Sequence, residues 1–274
     1  MILGKYQYIF TMFTPTFNRV HTLYRVYESL TKQTFKLKNG FEWLIVDDGS
    51  TDETKELIEN YKKDAWFPIR YYYQKNSGKY IAINRGIELA KGEFFLIADS
   101  DDRFLDNALE ILYSTWEGIK NKNEFSAVEG HCIDPNTGKI IGTKYPKDIF
   151  DSNTLELNYK YKIKGEKWGF QKTDILKEYP FPILKNTKFI PEGIVWLKIA
   201  RKYKKRCINK VLRIHILEND GITRNLNNFS SGRLEYYIFN INKNTDYLIY
   251  SLRDFVANFV NLGRMPQSYN KFHR

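Results

Sequence analysis

An α/β fold, with a mainly parallel central sheet flanked by helices, is what this 274-residue sequence predicts. Three observations carry the expectation. Strand and helix signals alternate through the first 110 residues, the strand runs are short and rich in apolar, aromatic and β-branched residues, and 42% of the chain is hydrophobic, enough for a sizeable core. Alternation of this kind implies parallel strands joined by right-handed crossovers, with helices on both faces.

The elements follow in order. YIFTMFT (8–14) predicts the first strand, and Leu23, Val26, Tyr27 and Leu30 recur after it at helical steps. FEWLIVDD (41–48) predicts a second, buried strand. DGSTDETKELIENYKK then offers Ser50, Thr51 and Asp52 as capping candidates, acids in the first turn and lysines in the last. IRYYYQ (69–74) predicts a third strand, SGKYIAINRGIELAKG a third helix stopped by Gly92, and EFFLIAD (93–99) a fourth strand.

Beyond Asp106 the alternation ends. A helix over 106–118 precedes two strands, 125–133 and 139–143, joined by the turn DPNTGK. Segment 148–190 is irregular and rich in Lys, Tyr and Pro, and reads as a substrate-shaped insertion. A helix is expected over 192–204 and a strand over 207–217. In 228–262, Leu248, Leu252, Phe255, Val256, Phe259 and Val260 share one helical face, which predicts a C-terminal helical extension.

Bulk properties narrow the function classes. No stretch approaches the roughly 18–20 uninterrupted apolar residues of a membrane span, and MILGKYQYIFTMF has no small-residue cleavage site, so a cytoplasmic protein is expected. Cys132 and Cys207 are too far apart for a CxxC site and read as buried thiols. The net charge is +11, and from Arg201 to Arg274 there are 14 Lys or Arg against 5 Asp or Glu. Such a surface would attract nucleic acid, an anionic membrane or a phosphorylated small molecule, or it is simply a solvated basic face.

In open α/β sheets ligands bind outside the carboxyl ends of the strands. Those ends carry Thr14 to Arg19, Asp47 and Asp48, Asn76 to Lys79, and Asp99 to Asp102. Asp99, Asp101 and Asp102 fall within four positions of LIADSDDRF (96–104), where crowded acids repel one another unless a cation or solvent relieves them. A hard divalent cation, Mn²⁺ or Mg²⁺, held by one or two carboxylates and completed by phosphate oxygens, is one solution; a solvated turn is the other. Asp48 can accept from a pyrimidine imide N–H, or it serves free backbone amides at a helix start.

These residues resemble a known family. TPTFNR (14–19), VDDGSTD (46–52), NSGKYIAINRGIELAKGEFFLIADSDD (76–102), and "GF" followed by PEGIVW (191–196), look like the successive motifs of family 2 inverting glycosyltransferases with the Rossmann-like GT-A fold. The resemblance implies a catalytic domain over 1–225, with 1–105 binding a nucleotide-sugar donor and 106–225 the acceptor, and an extension over 226–274. It implies that Thr14, Pro15 and Phe17 line the base and ribose pocket. Asp48 would bind a uracil-type edge, and Lys79 would approach the base or the diphosphate. Asp99 and Asp101 match the DXD motif, Asp99 near the ribose and Asp101 on the metal, with Asp102 following as an acid that would support the metal site from behind its ligands.

The family's acidic pair before a helix is reduced here to Glu192, because Gly193 stands where an Asp is expected. Glu192 is therefore the candidate general base, or else a helix N-terminal acid. His215 lies 23 residues on, at a position similar to a histidine that some members supply to the metal or diphosphate; a structural histidine is the other reading. Arg213 and Arg224 flank it and either meet phosphate or lie on the surface. His21, His131 and His273 suggest no role.

The resulting expectation is a metal-dependent inverting transfer from a nucleotide-diphosphate sugar, UDP-linked, to a hydroxyl of a glycan or lipid-linked acceptor in bacterial surface polysaccharide synthesis, without nucleic acid as a partner. The tail, with Arg253 and Arg264, would rest on an anionic inner leaflet, or else pack or dimerise. A sugar-phosphate nucleotidyltransferase should carry a Gly-rich phosphate loop that TPTFNR lacks, and a non-enzymatic polyanion-binding module should ignore Mn²⁺.

Overall fold

The computed structural model describes residues 5–184 and 187–216. The first half follows the expected alternation: β1 (Tyr8–Thr16), α1 (Tyr24–Thr31), β2 (Phe41–Asp47), α2 (Thr54–Asp64), β3 (Ile69–Tyr73), α3 (Lys79–Leu89) and β4 (Gly92–Ile97). Strands β3, β2, β1 and β4 lie side by side in that order, all parallel. β1 and β2 are buried along their whole length, which is why they read as near-continuous apolar runs.

The sheet then becomes mixed. After β5 (Arg103–Phe104) and α4 (Ala108–Glu117) come β6 (Phe125–Ile133), β7 (Ile149–Ser152), α5 (Thr154–Tyr159), β8 (Lys167–Lys172), α6 (Thr173–Glu178), α7 (Gly193–Ile199) and β9 (Lys204–Ile214). The full order is β3-β2-β1-β4-β8-β6-β9-β5, with β7 on β9. β8 is antiparallel to both β4 and β6, whereas β9 runs parallel to β6.

Alternate side chains of the central strands feed two cores. Phe10, Met12, Trp43 and Ile45 meet Leu23, Val26 and Leu30 of α1, Ile58 of α2 and Leu109, Leu112 and Trp116 of α4. Phe13, Leu44 and Val46 face Tyr80, Ile83 and Ile87 of α3, Ile175 of α6 and Ile194 and Val195 of α7. One charge is buried within this framework. Glu42, fully buried, accepts from Arg70 at 2.8 Å, Thr11 Oγ1 at 2.8 Å and the Lys91 amide at 2.8 Å, tying β1, β2, β3 and the start of β4 together.

Several expectations are corrected. Segment 148–190 is not irregular: it supplies β7, α5, β8 and α6, and β8 occupies the middle of the sheet. KWGFQK has lysines at both ends and buries only Trp168 and Phe170 between them, so it lacks the apolar run of the other interior strands. Residues 139–143 form no strand and contribute a single bridge, Ile133 to Ile140, before Gly142 at φ +86° turns the chain. The helix expected over 192–204 ends at Ile199, because Lys204 and Lys205 already belong to β9. Gly92 opens β4 rather than stopping α3. The tail over 228–262 and Arg224 lie outside the described residues.

Gly92 is glycine because of close approach: a β-carbon there would collide with the backbone of Phe10 and Thr11 on β1. Gly92→Ala is expected to lower unfolding free energy by about 1–3 kcal/mol, while Gly118→Ala, whose nearest contact would be 3.5 Å, stays near wild type in the same urea denaturation series. A second expectation concerns pH. Burial holds the His131 imidazole below its ordinary 6.5, although Asn209 Oδ1 accepts from its Nε2 at 2.7 Å. The unfolded chain then binds the proton that the folded chain refuses, so this contribution is complete above the unfolded value and is lost as pH falls below it. The stability difference between wild type and His131→Gln should shrink as the pH is lowered from neutral.

Candidate active site

The carboxyl ends of β1 to β4 are tied to one another by loop hydrogen bonds. After β1, Asn18 takes φ +52°, donating its amide to Ser50 Oγ at 2.9 Å and accepting from the Thr51 amide at 2.8 Å. Asp52 accepts from the Val20 amide at 3.2 Å and from the Thr54 hydroxyl at 2.6 Å, so it fastens the β1 loop to the first residue of α2. Asp47 accepts from the Ser50 amide at 2.7 Å and from Tyr71 Oη at 2.8 Å.

Asp48 holds the β3–α3 loop. Its Oδ1 accepts from Gln74 at 2.7 Å and the Ser77 amide at 2.9 Å, and its Oδ2 from the Gly78 amide at 2.8 Å. The carboxylate is therefore buried in main-chain donors, at the start of the helix after next rather than its own. Gly78 takes φ +104°, and a β-carbon there would strike the Lys188 backbone, so the segment before α7 rests directly on this loop.

The next residue, Lys79, begins α3 and joins two of the expected site residues. Its ammonium lies 2.8 Å from Asp99 Oδ1 and 3.0 Å from Glu192 Oε1. Burial opposes its charge, but the two carboxylates hold the ammonium well above the usual lysine range. Burial likewise acts to raise Asp99, and the Lys79 charge overcomes it and lowers that carboxyl. Glu192 stands at the N-cap of α7 without a side-chain capping bond, so it is the partner of Lys79 and not a helix cap.

Asp101 has different surroundings. Burial, followed by the charges of Asp99 and Asp102, pushes its carboxyl up to about 6, with Arg19 partly offsetting them. Asp102 turns inward, 1% exposed, and binds Arg213 Nη1 at 2.7 Å through Oδ2. Its Oδ1 lies 3.4 Å from His215 Nδ1. That contact raises the His215 imidazole above its ordinary value against burial and the nearby Arg213 charge. Arg213 is not a surface residue, since it is 5% exposed.

The expected base-pocket residues are placed unequally. Phe17 is 46% exposed beyond the end of β1, and Pro15 is buried. Thr14 is fully buried with its hydroxyl accepting from Trp43 Nε1 at 2.9 Å, so its side chain serves the interior. Thr16, which the sequence reading passed over, is 3% exposed, and its hydroxyl oxygen has no hydrogen-bond partner among the described residues. Its position as the last residue of β1, paired in register with Asp47, was the available signal.

For a cation, the donor set fits an ion bound chiefly through phosphate oxygens and water. Asp101 is crowded by like charge, and His215 has its Nδ1 facing a carboxylate, which leaves Nε2 to ligate. Among the described residues no group of three or more His, Cys, Asp or Glu is gathered into a closed protein cage.

Comparison with known proteins identifies the family and the fold. The model of the family described as glycosyl transferase family 2 matches residues 11–179, and the chain belongs to that family. The GalNAc(5)-diNAcBac-PP-undecaprenol beta-1,3-glucosyltransferase of Campylobacter jejuni is 29% identical over 220 residues, covering 78% of this chain and 66% of the relative. The poly(ribitol-phosphate) beta-N-acetylglucosaminyltransferase TarP of Staphylococcus aureus is 28% identical over 227 residues, covering 82% of this chain and 60% of the relative. The chain spans from 15% to 66% of the length of these and other curated relatives.

Among solved structures, S. aureus TarS 1-349 in complex with UDP-GlcNAc superposes with a TM-score of 0.64 at 19% identity, over 92% of this chain and 70% of that one. The mannosyltransferase PcManGT from Pyrobaculum calidifontis, in complex with GDP-Man and Mn²⁺, gives 0.57 at 18% identity, over 95% and 66%. These likenesses are of fold, and the fold is the GT-A architecture that the motifs implied.

Removing the shared cation tests the carboxylate pair. Lys79→Met should lower unfolding free energy by about 1–3 kcal/mol, between the values for exposed and fully buried pairs because the partners retain some solvent. Adding Asp99→Asn should recover part of that loss in the same denaturation experiment.

Proposed function

We propose that the protein transfers a sugar, with inversion, from a UDP-linked donor to a hydroxyl of a glycan or lipid-linked acceptor. The observation that carries this reading is the position of Lys79 between Asp99, two residues before Asp101, and Glu192. It brings a ribose-binding acid, a candidate base and a diphosphate-binding cation to one strand edge. The UDP-GlcNAc complex of TarS supports a UDP-linked donor. The acceptor class is supported by relatives named for a PP-undecaprenol glycan and for poly(ribitol-phosphate). Among the described residues no helix is long and apolar enough to cross a membrane, and we place the chemistry at the cytoplasmic face.

Asp101 and His215 would hold Mn²⁺ or Mg²⁺. When bound, the cation supplies Lewis-acid neutralisation of the departing nucleoside diphosphate. The chain's own groups do the rest. Asp99 accepts from the ribose hydroxyls, and Thr16 offers the base pocket an unsatisfied hydroxyl. Lys79 turns from its two carboxylates toward the diphosphate, which leaves Glu192 free to take the proton from the acceptor hydroxyl as that oxygen attacks the anomeric carbon. One displacement inverts the centre without a covalent enzyme intermediate.

UDP release from a panel of UDP-sugars, with and without acceptor, checks the assignment. Asp101→Ala and treatment with EDTA should each abolish turnover. Glu192→Gln should reduce transfer by about 10²–10⁴ while UDP affinity stays within a few-fold of wild type. Full transfer by Glu192→Gln would move the base elsewhere, and a panel in which no nucleotide sugar binds would remove the enzyme reading.

A further inference from the structure

We propose that Asp102 and Arg213 are positioning residues for the cation site: Arg213 pins Asp102, and Asp102 in turn fixes the ring of His215 and the turn that carries Asp101. The inference rests on the reading of Asp101 and His215 as cation ligands.

Four features point to it. First, the acidic turn splits in orientation: Asp102 faces the interior at 1% side-chain exposure, and its amide donates to the Asp99 carbonyl at 3.1 Å, closing the turn that carries Asp101. Fixing Asp102 therefore fixes the backbone of Asp101. Second, β5 follows the turn at once and pairs with β9, Arg103 against Ile214 and Phe104 against Arg213. This register delivers Arg213 and His215 together to Asp102.

Third, the guanidinium is held on three sides. Nη1 binds Asp102 at 2.7 Å, Nη2 binds Glu166 at 3.2 Å and Nε points at Cys132 Sγ at 3.2 Å. A planar fork anchored in this way cannot swing, so the carboxylate opposite it is held in one orientation. Fourth, the remaining Asp102 oxygen meets His215 Nδ1 at 3.4 Å. Donation of the Nδ1 proton to that oxygen selects the tautomer whose Nε2 lone pair is free, the arrangement by which carboxylates orient metal-binding histidines. Stability alone does not account for the pair, because a buried ion pair contributes little beyond what well-packed apolar residues of similar volume would give.

The test uses the full chain and three measurements. Mn²⁺ affinity in the presence of saturating UDP is read by electron paramagnetic resonance, UDP affinity is read in EDTA, and the His215 tautomer is read from ¹⁵N shifts of the metal-free protein at a pH where the imidazole is neutral. Asp102→Asn is expected to weaken Mn²⁺ binding about 10–100-fold, leave metal-free UDP affinity within about twofold and remove the preference for protonated Nδ1. Unchanged Mn²⁺ affinity in a folded Asp102→Asn protein would overturn the proposal. So would a wild-type His215 protonated on Nε2, a result that needs no variant and decides the matter if the substitution prevents folding. Wild-type protein that takes up no Mn²⁺ with UDP, or an Asp101→Ala protein that binds it normally, refutes the underlying ligand assignment instead.

Discussion

Everything at the carboxyl edge of this sheet depends on how its acids are neutralised. Carboxylates brought together in a partly dry space repel one another strongly, so each needs its own source of positive potential. Asp47 and Asp48 take theirs from backbone amides and, for Asp47, a tyrosine hydroxyl. Asp99 and Glu192 share the Lys79 ammonium, and Asp102 has the Arg213 guanidinium. Asp101 is left among like charges. The solutions are graded by mobility, since amides are rigid, the buried guanidinium nearly so, and the lysine can turn.

The fold makes this possible by construction. β1, β2 and β3 end level, Thr16 beside Asp47 beside Tyr73, and β4 ends three residues lower beside Phe13, so the βα loops present their acids and amides to one edge of the sheet. The antiparallel half brings β9 back to the β4 side of the sheet, where Arg213 reaches the acidic turn across 111 residues of sequence. Glu166, which also contacts Arg213, comes from the stretch just before β8, so the insertion that interrupts the parallel order is bonded to the acidic turn's partner as well as to β4.

The parallel half was legible in the sequence because strands buried on both faces must be apolar and their crossover helices must be amphipathic, and YIFTMFT and FEWLIVDD obey that constraint. KWGFQK does not, and its place in the sheet is set by partners far away in the chain. The site was legible at the level of which strand ends matter. Asp99, Lys79 and Glu192 converge, although nothing in their spacing says that one ammonium joins the two acids. Asp102 and Arg213 were invisible as a pair, since an acid beside a DXD motif and an arginine in a strand carry no local mark of mutual burial. Asp48 and Thr14 show the opposite case, in which residues expected to face a ligand are bonded into the protein itself.

The contact of Gly78 with the backbone of Lys188 has a consequence for how such enzymes diversify. The stretch before α7 leads directly to Glu192, so any exchange of it between relatives acts on that carboxylate. Because that stretch rests on the loop that Asp48 holds and from which Lys79 springs, a graft of even slightly different path would shift Lys79 as well. The path of the chain at Lys188 and the position of Lys79 are therefore coupled, and neither can be changed alone.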